Sequence, residues 1–144
     1  MPHRLYIIEP DPALGSTLNQ SLPAEYPAVE VAVFDELRKM VDWVILTDHF
    51  PSLLLVHLQP HPERQMAGVS RLKNDPLWKP CIFIGWAGSL SWTQVSRAYH
   101  SGFHSVHQLD TALPQGLKPI LDYWLTLPHL PLLNQAHGPS WSKD

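Results

Sequence analysis

The stretch SLLLVHL, Ser52 to Leu58, is the most apolar segment of the chain, and its reading decides the fold. A run this apolar, without alternating polar positions, suits a central strand buried on both faces, and the QPHPE that follows reads as a loop. Working outward, the same unit recurs on either side. Leu5 to Ile8 (LYII) is a short strand closed by Glu9, Pro10, Asp11 and Pro12; Asp11 can cap a helix whose first residue is Pro12, with Leu14, Leu18 and Leu22 spaced four apart until Pro23 stops it. Val29, Val31, Val33 and Phe34 make a second strand. Asp35 is then the expected cap of a helix carrying Leu37, Met40, Val41, Val44 and Ile45 on one face. Beyond the central strand, Met66, Val69 and Leu72 suggest a third helix and NDPLWKP a turn. Cys81 to Gly85 (CIFIG) reads as a fourth strand, and Trp92, Val95 and Tyr99 mark a fourth helix ending at Gly102. Ser105 to Leu109 is a fifth strand. Thr111 is the expected cap of a last helix bearing Leu113, Leu117, Ile120, Leu121 and Trp124, with Pro119 predicted to kink it.

Five strands alternating with five helices predict an α/β fold: a five-stranded parallel sheet, doubly wound, in a three-layer sandwich. Ligands and chemistry in such sheets sit at the carboxyl ends of the strands. The positions that matter are therefore Glu9, Pro10 and Asp11, then His57 to His61, Gly85 with Trp86, and Leu109 with Asp110. The expected domain spans residues 1–125, and 126–144 reads as a Pro- and Leu-containing tail in which Leu127, Leu130, Leu132 and Leu133 are interrupted by Pro128 and Pro131.

Composition narrows the function classes. A chain of 144 residues has room for one domain, and 44% apolar with 16% charged residues gives it enough apolar material for a core. A net charge of −3 without any block of like charges argues against nucleic acid and anionic membranes as partners. The single cysteine, Cys81, excludes an internal disulfide and a Cys-based zinc framework. No apolar run has the length of a membrane span and the first residues lack signal-peptide order, so the expectation is a cytoplasmic protein. No nucleophile elbow, phosphate-cradling glycine loop or dinucleotide fingerprint is present; the expectation is a non-enzyme without a cofactor.

With these elements in order, the sequence resembles the receiver domains of bacterial response regulators from about Arg4 to Trp124. LYIIEPDPAL is similar to that family's first strand and acidic loop, PSLLLVHLQP to its phosphoacceptor strand, LKNDPLWKPCIFIG to the connection into the fourth strand, and SGFHSVHQLDTALPQGL to the fifth strand and its flanks. The resemblance implies strand order 2-1-3-4-5. It also implies that the chemistry is missing. A receiver holds Mg²⁺ with two neighbouring acids, whereas Glu9 is followed by Pro10, with Asp11 one position further on. The phosphoacceptor aspartate falls at His57, which cannot form an acyl phosphate or offer a carboxylate oxygen to a hard cation. The phosphate-sensing hydroxyl falls at Gly85, followed by bulky Trp86; the lysine of the fifth strand falls at Leu109, and the aromatic switch at Val106. These losses predict a pseudo-receiver that signals or scaffolds by binding protein.

Receivers commonly dock through the face made by the fourth helix, fifth strand and fifth helix. Trp92, Tyr99, Val106 and His107 lie in those elements, so the expected partner is another protein or a second copy of the chain. The alternative from a different class is a metal- or small-ligand site built from Glu9, Asp11, His57 and His61, since imidazole and carboxylate together suit zinc, nickel or copper. Trp43 and Trp124 are expected to pack against the core.

Overall fold

The computed structural model describes residues 3–109 and 114–126. Its five strands are β1 (Arg4–Ile8), β2 (Glu30–Phe34), β3 (Leu53–His57), β4 (Ile82–Ala87) and β5 (Ser105–Gln108). They form one parallel sheet in the order β2-β1-β3-β4-β5. The helices are α1 (Pro12–Glu25), α2 (Leu37–Thr47), α3 (Pro62–Lys73), α4 (Trp92–Ser101) and α5 (Lys118–Leu125). This is the doubly wound α/β architecture expected from the sequence.

Alternation along the strands explains the two layers. Leu5, Ile7, Leu53, Leu55, Ile82 and Ile84 turn to one face, where Leu18 and Leu22 of α1 and Ile120 and Leu121 of α5 cover them. Tyr6, Ile8, Leu54, Val56 and Phe83 turn to the other, under Met40 and Val44 of α2, Met66, Val69 and Leu72 of α3, and Ala98 of α4. Each fully buried side chain of this size contributes about 1.5–3 kcal/mol, so the central strands hold the sandwich. Their carboxyl ends, where the candidate site lies, are thereby fixed.

Several expectations are corrected. Pro23 does not stop α1, which runs on to Glu25; the hydrogen bond Pro23 cannot donate would have gone to the carbonyl of Asn19, an exposed residue whose oxygen water can satisfy. Asp35 does not cap α2, because its carboxylate pairs with Lys39 at 3.0 Å; Glu36 occupies the cap position without a side-chain hydrogen bond. Pro119 does not kink the last helix but falls in its first turn, where no donor is required, behind a 3₁₀ turn at Gln115–Leu117. β4 passes Gly85 to end at Ala87, so Gly85 and Trp86 lie within the strand. Trp43 is 41% exposed, whereas Trp124 does pack against the core. Asp110, Thr111, Leu113 and the tail residues 127–144 lie outside the described residues. No helix among the described residues is long and apolar enough to cross a membrane.

Candidate functional site

The loop after β1 places Glu9 at the sheet's carboxyl edge, where its amide donates to the Phe34 carbonyl at 2.8 Å and its side chain turns inward, 1% exposed as a residue. A carboxylate so buried must be compensated. His57, the last residue of β3, supplies the partner: its Nδ1 lies 2.8 Å from Oε2 and 3.0 Å from Oε1 of Glu9. In this contact the ring N–H at Nδ1 donates and the Glu9 carboxylate oxygens accept. The Asp11 amide donates to the same Oε2 at 3.1 Å, while the Asp11 carboxylate is used as the cap of α1, accepting from the Ala13 amide at 3.0 Å.

The imidazole is held on a second side by Trp86. The two residues are direct partners across β3 and β4, and their rings stack in parallel, 3.9 Å between centroids with 9° between planes. Trp86 is 5% exposed, and its indole Nε1 finds no acceptor among the described residues. The next strand continues the row with His107, the partner of Trp86 on β5. From the opposite side Gln65 of α3, itself buried, donates from Nε2 to the His57 carbonyl at 3.2 Å. Gln59 ties the loop after β3 to the loop after β4: its Oε1 accepts from the Gly88 amide at 3.1 Å and its Nε2 donates to the Ser89 carbonyl at 2.9 Å.

Of the residues expected in the pocket, Glu9, His57 and Trp86 meet. The Gly85 position does not join them. A Cβ built on Gly85 would point at the Phe103 ring, 3.1 Å away, and at Leu58, in the opposite layer; Trp86 is the residue of β4 that faces His57, and small Ala87 follows it. Leu109 packs its side chain into the layer under α1 and α5 and donates its amide to the Ala87 carbonyl at 2.9 Å. Pro10 and His61 instead line a cleft between α2 and α3. The four residues of the alternative metal site therefore do not assemble, and among the described residues no three His, Cys, Asp or Glu side chains gather as a metal would require.

The expected docking face also divides. Trp92 is 86% exposed at the start of α4, and Tyr99, 47% exposed two turns on, accepts the Val106 amide on its hydroxyl at 3.2 Å. Val106 packs into the layer under α2, α3 and α4. His107 alternates to the other side of β5, where it meets the Ser105 hydroxyl, and burial lowers its pKa. It belongs beside Trp86 and not with the α4 aromatics.

Sequence reasoning missed Gln65 and Gln59. Gln65 carried a signal, because it shares a helical face with Val69 and Leu72 at spacings of four and seven, a polar residue on an apolar stripe. Gln59 carried none, since its two bonds depend on where the loop after β4 lies.

No protein-family model matches the chain, and no curated protein matches it. Solved structures do. The phosphorylated cyanobacterial phytochrome response regulator RcpA aligns with a TM-score of 0.75 at 16% identity, over 88% of this chain and 96% of its own. Response regulator RPA3017 of red-light signalling in R. palustris gives 0.70 at 15% identity, over 90% and 96%. The Vibrio cholerae chemotaxis protein CheY4 gives 0.70 at only 9%, over 85% and 98%. Likeness at these identities reports architecture, which is the one the strand order and the two helical layers describe: this chain has the fold of response-regulator receiver domains.

Proposed function

We propose that this chain is a signalling or scaffolding module of receiver type that acts by binding protein and takes no phosphoryl group. The observation that carries this reading is the closed constellation of Glu9, His57 and Trp86. The buried carboxylate that a receiver would offer to a metal is here engaged by an imidazole at 2.8 Å, and an indole covers the ring beside it. Acyl phosphate formation, the chemistry of an active receiver, needs a carboxylate nucleophile, a cation to bridge donor and acceptor, and room for three phosphoryl oxygens. His57 supplies no carboxylate and its Nδ1 is engaged by Glu9, Glu9 is thereby occupied, and Trp86 covers the ring.

The working surface is then the face of α4, β5 and α5, where the indole of Trp92 stands out from the chain. Large aromatics that become buried supply much of an interface's energy, so its occupant is a protein partner or a second copy of this chain. Incubation with acetyl phosphate and Mg²⁺ tests the first half of the reading: intact mass should stay unchanged, and an 80-dalton adduct mapping to the β3 loop overturns it. Trp92→Ala tests the second half more cleanly than Tyr99→Ala, which also deprives the Val106 amide of its acceptor. The Trp92 variant should weaken self-association or partner capture by about tenfold or more, with His57→Ala leaving it intact.

A further inference from the structure

A cleft of about 560 Å³ opens between α2 and α3, sharing Pro10 and Gln65 with the surroundings of Glu9 and His57. Its floor is apolar, made by Leu37, Val41 and Leu72. Gly68 makes the floor possible, since any side chain there would collide with Leu37. Its walls carry Arg38, Arg64 and Arg71, which are three of the five arginines in the whole chain. The other two are engaged, Arg4 with Glu30 at 3.2 Å and Arg97 with Glu63 at 2.7 Å. Among the described residues none of the three cleft arginines is in an ion pair. Of the two acids that also line the cleft, Asp35 is taken by Lys39, which leaves Glu36 as the one carboxylate against three guanidinium groups.

Backbone polarity points the same way. α2 and α3 both begin at this cleft, with Glu36 and His61 at their cap positions, and neither cap side chain accepts a hydrogen bond from its helix. The amides of Arg38 and Lys39 on α2, and of Glu63 and Arg64 on α3, have no protein acceptor among the described residues. Two uncapped helix starts therefore add their partial positive charges to Arg38 and Arg64 in the first turns, while Arg71 lines the cleft from the last turn of α3. On a chain of net charge −3, this is a concentration of the opposite sign.

We propose that the cleft binds a small organic anion, with an apolar body on Leu37, Val41 and Leu72 and a doubly charged phosphate or carboxylate head held by the arginines. A guanidinium fork matches both head groups, and the volume lies within the roughly 300–1,000 Å³ of small-ligand sites. The site is separate from the α4 face and independent of the phosphorylation chemistry.

The test uses the full chain and 1-naphthyl phosphate as probe, followed by amide shifts in ¹⁵N-labelled protein. Saturable shifts at roughly millimolar probe should centre on Arg38, Lys39, Glu63 and Arg64. The neutral comparator 1-naphthol and the Arg64→Gln/Arg71→Gln variant should each bind about tenfold more weakly, whereas Arg4→Gln should bind as the parent does. Should the double variant fail to fold, Arg38→Gln alone supplies the same comparison. Absence of saturable shifts, shifts centred elsewhere, or equal binding of 1-naphthol overturns the proposal. So does tighter binding of a hexaglutamate peptide than of the probe, which would make the cleft a docking site for acidic protein segments.

Discussion

Replacing His57 with alanine removes the one side chain, among the described residues, that donates to the buried Glu9 carboxylate. Removing the partner of a buried carboxylate costs about 3–5 kcal/mol, because the group is left without compensation. Two features set the value for Glu9. The Asp11 amide remains to it at 3.1 Å, and the His57 side chain it loses is 14% exposed, so water enters the space the ring vacates. Both favour the lower end, about 3 kcal/mol, to which the lost stack on Trp86 adds about 0.5–1 kcal/mol. With a urea slope near 2 kcal/mol/M for a domain of this size, the unfolding midpoint should fall by roughly 1.5–2 M. Glu9→Gln keeps the shape and one acceptor oxygen while removing the charge, and alone should cost about 1 kcal/mol. The decisive quantity is the double variant Glu9→Gln/His57→Ala, in which no buried charge is stranded. It should be more stable than His57→Ala by about 1–2 kcal/mol, an inverted additivity that independent sites never give. Tryptophan fluorescence during urea unfolding reads all four proteins. A His57→Ala cost below about 1 kcal/mol, or a double variant equal to the sum of the singles, refutes the view that His57 compensates the buried Glu9 side chain.

Beryllofluoride with Mg²⁺, which mimics a bound phosphoryl group, should leave the melting temperature unchanged; a ligand held at a hundredfold excess over its dissociation constant would add about 2.7 kcal/mol and raise it by several degrees. Acid should weaken the fold through His104. Its Nδ1 accepts the Phe83 amide at 3.0 Å, and burial and then the Lys73 charge push its pKa down to about 4. With the folded pKa below the unfolded value of 6.5, the unfolded chain binds the extra proton, so stability present above pH 6.5 is lost as pH falls towards 4. His104→Asn, whose side-chain oxygen can replace Nδ1, should flatten that part of the urea midpoint against pH. Gly102→Ala should cost about 1–2 kcal/mol by the same assay, since Gly102 ends α4 at φ 120° and a side chain there would meet Lys73.

Element order and the burial of the central strands were legible because they depend on patterns within ten residues of one another, whereas the strand order came only with the resemblance to receiver domains. The register of β4 was not. IFIGWA is apolar throughout and offers no alternation to say which residue faces which layer; only its pairing with β3 and β5 turns Trp86 towards His57 and Gly85 away. The two prolines failed as markers for a related reason. Pro23 forgoes a bond to an exposed carbonyl and Pro119 forgoes none, and both facts depend on where the helix begins and what lies outside it. The pair of Glu9 and His57 was open to inference, since both end neighbouring strands. The arginines of the cleft were not, because Arg38 and Arg64 are 26 positions apart and only the packing of α2 beside α3 across Gly68 joins them.

The exchange of a carboxylate for an imidazole at position 57 changes what the sheet edge needs in order to be stable. Two buried carboxylates side by side repel, and a divalent cation or a proton must intervene. With His57 in that place the site compensates itself: the ring donates to Glu9, the Asp11 amide donates to the same carboxylate, and Trp86 closes over the ring. A self-compensated site has little to gain from a cation. Under the function proposed here, nothing arriving at this edge can shift the fold between two states by charge alone, because a ligand moves an equilibrium only by its differential affinity for the two conformations. Binding must then be read at surfaces that are still uncompensated. Among the described residues two such surfaces are the α4 aromatics, which expose an indole, and the arginine-walled cleft, where Arg38 and Arg64 lie in the first turns of α2 and α3 and Arg71 in the last turn of α3. Pro10 and Gln65 border both the cleft and the Glu9–His57 site, and Gln65 donates to the His57 carbonyl, so an anion seated between α2 and α3 would touch that site through these two residues while requiring neither metal nor nucleophile.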